Sequence, residues 1–160
     1  MKKSYRIPIA ILVCGLIYGC VFFGLPRQLN LSYNALEYQL GNTEFQKLTN
    51  ISFDGWYYDR VFKKDCFVGT FTVGDKVFPN VKGTERELLM TYDKTKGTYY
   101  TLGEVIIGNY CKEITICLFE PKAGWNSGDG KMISAPATNR LEALGISNRL
   151  MQKRLINALE

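Results

Sequence analysis

The pattern that most constrains this chain is a period-two alternation that starts at Ile51 and recurs, broken by turns, as far as Ala135. Residues 112–119 carry it most cleanly. Ile114, Ile116 and Leu118 fall on one face, with Glu113, Thr115, Cys117 and Phe119 on the other. Successive side chains of an extended strand point to opposite faces, so a stretch patterned this way buries one face as a strand. Further strands are expected at 51–58, 66–73, 87–92 and 98–107, with short pieces at 76–78 and 132–135. Gly74-Asp75, Pro79-Asn80, residues 93–97 and Gly108-Asn109 supply turn chemistry between them. The expectation is a mainly antiparallel sheet of five or six strands.

The period then changes. Asn139 with Glu142 three residues on matches a capping box. Leu141, Leu144, Met151, Leu155 and Leu159 share one side of the helix that should follow, and Arg140, Arg149, Lys153 and Arg154 lie off it as a solvated face. Gly145 is a weak point, worth about 1 kcal/mol relative to Ala. A C-terminal amphipathic helix covering one sheet face makes the fold class α+β, with the other face open or the sheet curled into a half-barrel.

Ahead of the alternation lies an apolar run over residues 7–25, with no charge and Pro8 as its interruption. At roughly 1.5 Å per residue a helix of that length just crosses a hydrocarbon core. Lys2, Lys3 and Arg6 precede it and only Arg27 closely follows, which orients the N-terminus to the cytoplasm. The organisation expected is a cytoplasmic basic tail (1–6), a transmembrane signal-anchor helix (7–25), a stalk with partial helix (26–50) and an extracytoplasmic α+β domain (51–160). The stalk reading rests on Leu31, Ala35, Leu36, Leu40, Phe45 and Leu48 at loosely helical spacing, broken at Gly41-Asn42. Two rivals exist for the N-terminus. A cleaved signal would want a shorter apolar run and small residues where residues 21–25 are bulky. A lipoprotein signal would be acylated at Cys20, since Ile17-Tyr18-Gly19-Cys20 resembles a lipobox except for Tyr18. Gly15 and Gly19 have the spacing of a helix-dimer motif.

Composition removes several functions. The formal charge is +5, but Lys2, Lys3, Arg6 and Arg27 supply four of those charges with no acid among the first thirty residues, leaving +1 for the rest. A nucleic-acid partner would want a clustered basic face, so none is expected. There is no histidine, which removes the commonest general base and the commonest zinc ligand. Gly128-Asp129-Gly130-Lys131 lacks phosphate-loop spacing, and no metal or cofactor motif occurs. Cys66, Cys111 and Cys117 would lie outside the cytoplasm as an odd set, read as buried thiols, with one disulfide of open pairing as the alternative. A thiol nucleophile has no histidine to activate it.

The densest functional cluster is Phe53-Asp54-Gly55-Trp56-Tyr57-Tyr58-Asp59-Arg60. Alternation puts Asp54, Trp56 and Tyr58 on one strand face, with Asp59 beside them. Rings that stack on sugars and paired carboxylates are what glycan chemistry uses. No residue is assigned a catalytic role. The leading expectation is a single-pass membrane-anchored protein at the cell membrane whose small extracytoplasmic domain binds a partner, either protein or cell-surface glycan, without catalysis. The alternatives are a glycan-acting hydrolase or glycan-binding module using Asp54, Trp56, Tyr58 and Asp59, and an accessory subunit of a membrane complex.

Overall fold

The computed structural model describes residues 9, 11–15, 18–19, 26–58, 66–83, 86–93, 97–108, 110–120 and 124–157. Eight strands follow one another: β1 (Arg27–Gln39), β2 (Gln46–Tyr58), β3 (Cys66–Val73), β4 (Lys76–Gly83), β5 (Arg86–Asp93), β6 (Thr98–Gly108), β7 (Glu113–Leu118) and β8 (Lys131–Ala135). A helix, α1 (Arg140–Asn157), comes last. The sheet order is β4-β3-β2-β1-β8-β7-β6-β5, every pairing antiparallel. It is an up-and-down meander whose first and last strands pair, so the sheet curls into a nearly closed barrel with its two edges, β4 and β5, brought side by side.

The barrel wall separates two apolar clusters. Inside, Ile51 and Phe53 of β2, Phe67 and Phe71 of β3, Phe78 of β4, Leu89 of β5, Val105 of β6 and Ile116 of β7 pack together, fully buried. Phe53 meets Phe71 with ring centroids 4.8 Å apart and Phe67 at 6.0 Å. Outside, α1 lies across β1, β6, β7 and β8, where Ala143, Ile146 and Leu150 press on Leu36, Tyr38, Ile106, Cys117 and Met132. Strand alternation supplies both clusters at once: Ala35, Val105, Ile116 and Ile133 point in, while Leu36, Ile106, Cys117 and Met132 point out beneath the helix.

These findings correct the expected architecture. The sheet has eight strands, not five or six. Residues expected to form a stalk over 26–50 are instead β1, the turn after it and the start of β2. The short pieces at 76–78 and 132–135 extend into β4 and β8. The expected transmembrane helix is also overturned: among the described residues no helix is long and apolar enough to cross a membrane. The long helix is α1, and exposed Asn148, Arg149 and Gln152 keep it polar. Within the N-terminal run, residues 9, 11–15 and 18–19 are described and helical, and Cys20, Lys2, Lys3 and Arg6 lie outside the described residues. Finally, α1 buries Ala143, Ile146, Ser147 and Leu150, while Leu141 is 82% exposed. Leu144 and Met151 of the expected face pack partly against the same cluster. The helix runs unbroken through Gly145.

Candidate functional site

The inward face of the barrel changes character toward one end. Along β2 it runs Phe53, Ile51, Thr49, Lys47; along β1, Ala35 then Glu37; along β8, Ala135, Ile133, Lys131. The core is apolar and filled in the middle, then turns charged at the mouth ringed by the β1–β2, β3–β4 and β7–β8 connections. There it leaves a cleft of about 770 Å³. That volume lies within the range of about 300–1,000 Å³ usual for ligand sites.

The floor and inner wall of the cleft are Val73, Leu102, Leu118, Phe119 and Ile133. Its rim carries three lysines (Lys47, Lys76, Lys131) and three carboxylates (Glu37, Asp75, Glu120), with Thr49, Asn50 and Tyr100 between them. Register places Glu37 directly across from Lys47, and from Ile133 on its other side. Asp75 is held in the β3–β4 turn, which Gly74 makes by adopting φ +57° and donating its N–H to the Asn50 carbonyl at 2.9 Å.

The lysines are positioned by aromatic rings. The Lys76 ammonium donates to the Tyr100 hydroxyl at 2.7 Å and sits 4.5 Å from that ring's centroid, tying β4 to β6 across the open seam. The Lys131 ammonium lies 4.9 Å from the Phe45 ring centroid. Cation–π contacts of this kind are worth about 0.5–1 kcal/mol where exposed. Among the described residues, no ion pair joins any of the six charged rim side chains; the ion pair that does form is Arg149 with Glu113 at 2.8 Å, on the helix side of the barrel.

The residues singled out from sequence lie elsewhere. Asp54 and Trp56 do share a strand face with Tyr58, but it is the outer, convex face of β2, opposite to that of Phe53. Trp56 is 44% exposed and registers with Gln28 on one side and Val68 on the other. Asp59 lies outside the described residues. None of Asp54, Trp56 and Tyr58 lines the mouth cleft.

Cys66, Cys111 and Cys117 are buried, and no disulfide joins them. Cys111 belongs to the core inside the barrel and Cys117 to the cluster under α1, with the wall between them. Burial pushes the Cys111 thiol up to about 12, which keeps it protonated and poorly nucleophilic near neutrality. Among the described residues no group of His, Cys, Asp and Glu side chains could hold a metal ion.

Sequence reasoning missed Glu37, Lys47, Asp75, Lys76, Glu120 and Lys131. Their signal was parity: Glu37, Lys47 and Lys131 occupy inward positions at strand ends, where a closed core would want apolar residues. Comparison with protein-family models, with curated proteins and with solved structures finds no match.

Proposed function

We propose that the barrel is a non-catalytic binding module associated with the cell membrane, and that its ligand sits in the mouth cleft. The observation that carries this reading is the cleft itself. It combines an apolar floor with a rim of six charges that, among the described residues, form no ion pair, at an end of the barrel where inward side chains cease to be apolar. Such a mixture of apolar wall and a few converging polar groups is how small-ligand sites are built.

The membrane placement is supported by the N-terminal run. Its described apolar residues are not packed against the barrel: Ile9, Ile11 and Leu12 are 60%, 68% and 65% exposed. Exposed apolar surface of that kind seeks a lipid or protein partner. The non-catalytic reading is supported by the chemistry available, since the chain has no histidine and the cleft holds no thiol.

The test is nuclear magnetic resonance of the full chain in a maltoside detergent, titrated with short peptides and with cell-wall glycan fragments. Shift changes gathered at Lys47, Asp75, Lys131 and Leu118 are expected. Changes gathered instead at Asp54, Trp56 and Tyr58 would move the site to the outer face of β2 and overturn the proposal in favour of a glycan module.

A further inference from the structure

We infer that the cleft is built for a zwitterionic ligand with an apolar body, an inference that rests on the mouth cleft being the binding site. Three ammonium groups and three carboxylates line one cleft, so its charge sums to zero. Opposite charges brought together in a fold usually neutralise one another, and these do not: among the described residues none is in an ion pair. Two of the ammonium groups are instead parked on rings, Lys76 on Tyr100 and Lys131 on Phe45. A ring leaves an ammonium's remaining N–H donors unused, because –NH₃⁺ has three donors and no acceptor. The cleft therefore presents donors and acceptors of full charge to whatever enters.

A ligand with one sign of charge would engage half of these groups and leave the other half to solvent. A molecule bearing an anionic and a cationic group satisfies both. Its anion meets Lys47, Lys76 or Lys131, and its cation meets Glu37, Asp75 or Glu120. Val73, Leu102, Leu118 and Ile133 form the surface below the rim, so the body joining the two charges is apolar. Two sources share this chemistry: a short apolar peptide with free termini, and a zwitterionic phospholipid headgroup with the start of its chains.

Isothermal titration of the full chain in maltoside tests this with named probes. These are the tripeptide Leu-Ala-Leu, its N-acetyl form, its C-amide form and its doubly blocked form, alongside dihexanoylphosphatidylcholine below its micelle concentration. Charge-assisted hydrogen bonds are worth about 1.5–3 kcal/mol, or roughly tenfold or more in affinity. Each single block should therefore weaken the peptide about tenfold. Lys131→Gln and Glu37→Gln should each weaken the unblocked probe similarly, with the melting temperature unchanged in Glu37→Gln and lowered in Lys131→Gln by no more than the loss of its ring contact. Tighter binding of the phosphatidylcholine than of the peptide would assign the lipid source, and the reverse order the peptide source. Equal affinity of blocked and unblocked peptides, with resonance changes still at the cleft, would overturn the zwitterion while leaving the binding site intact. If neither probe binds, the inference is likewise overturned. The mouth cleft itself then falls only if the nuclear magnetic resonance titration places ligands on the outer face of β2.

Discussion

At the β6–β7 turn Cys111 adopts φ +64°, a region L-residues rarely occupy, with its side chain wholly inside the barrel core. Burial raises its thiol from the ordinary 9.0 to about 12. The sign of the pH effect follows. A group whose folded value is raised contributes stability that is complete below its unfolded value and disappears as pH climbs through the folded one. Burial pushes Tyr33 and Tyr38 in the same direction from 10.0. The fold should therefore weaken between about pH 9 and 12, read by circular dichroism. Iodoacetamide at pH 8 should modify exposed Cys14 in the native chain but reach Cys66, Cys111 and Cys117 only in guanidinium; native alkylation of Cys111 by mass spectrometry would contradict the packing. A second residue-scale constraint is the facing pair Gly55 and Gly69. A Cβ on either would collide with the opposite strand's backbone, at the Val68 or the Asp54 carbonyl, and with the Phe53 ring packed over them. Gly69→Ala should cost about 1–3 kcal/mol or more by overpacking, measured by urea unfolding.

The helix α1 is held to the barrel by polar groups as well as apolar ones. Tyr38, fully buried on the outer face of β1, donates its hydroxyl proton to Ser147 Oγ of α1 at 2.9 Å, and its oxygen lies 3.4 Å from Ser134 Oγ, itself 3.1 Å from Thr115 Oγ1. Tyr38→Phe removes a buried hydrogen bond, while Ser147 keeps the Leu144 carbonyl and Ser134 keeps Thr115, and should cost about 0.5–1.5 kcal/mol. If the urea midpoint is unchanged, the network contributes nothing. At the helix N-terminus, Asn139 Oδ1 accepts the Glu142 N–H at 3.0 Å, and the Glu142 carboxylate accepts from the Thr138 N–H and hydroxyl. Those bonds to Thr138 hold the Glu142 carboxyl below its ordinary 4.5. The cap is therefore complete above pH 4.5 and lost as pH falls below it, and Glu142→Gln should flatten the acid limb of a stability–pH curve. This Asn139–Glu142 cap was legible in the sequence, as were the limits of β3. What was not legible was β1. Leu29, Leu31, Tyr33 and Ala35 alternate there, but Leu36 and Tyr38 then bury on the other face because α1 covers it. A strand buried on both faces loses its period, and its leucines fall at helical spacing. The mouth cleft was hidden for a related reason. Its charges come from β1, β2, β4 and β8 and two connections, and only closure of the barrel brings them together.

At the scale of the whole molecule, seven ladders close the barrel and one seam does not. Among the described residues no backbone pairing joins β4 to β5, although the two strands lie side by side. Each edge is withdrawn from pairing by its own residues. On β4, Pro79 has no N–H to give and Asn80 turns to φ +57°, where the β3–β4 register slips between Gly69 and Phe71. On β5, the Leu88 N–H is taken by the Glu87 carboxylate at 3.1 Å. Such devices also keep an exposed edge from pairing with another chain. The bond from Lys76 to Tyr100 is then a side-chain tie across a gap the backbone leaves open, and it sits on the cleft rim. A wall held this way should open first at the seam, since backbone groups without ladder partners exchange through small local fluctuations. Hydrogen exchange should accordingly run faster in β4 and β5 than in β1, β2 and β8, and Lys76→Met should widen that difference while leaving β1 and β8 unchanged. A ligand bridging Lys76 and Asp75 on one side of the mouth to Glu37 and Lys131 on the other should narrow it. Uniform protection around all eight strands would mean that the barrel opens only by global unfolding, and that the seam has no mechanical role.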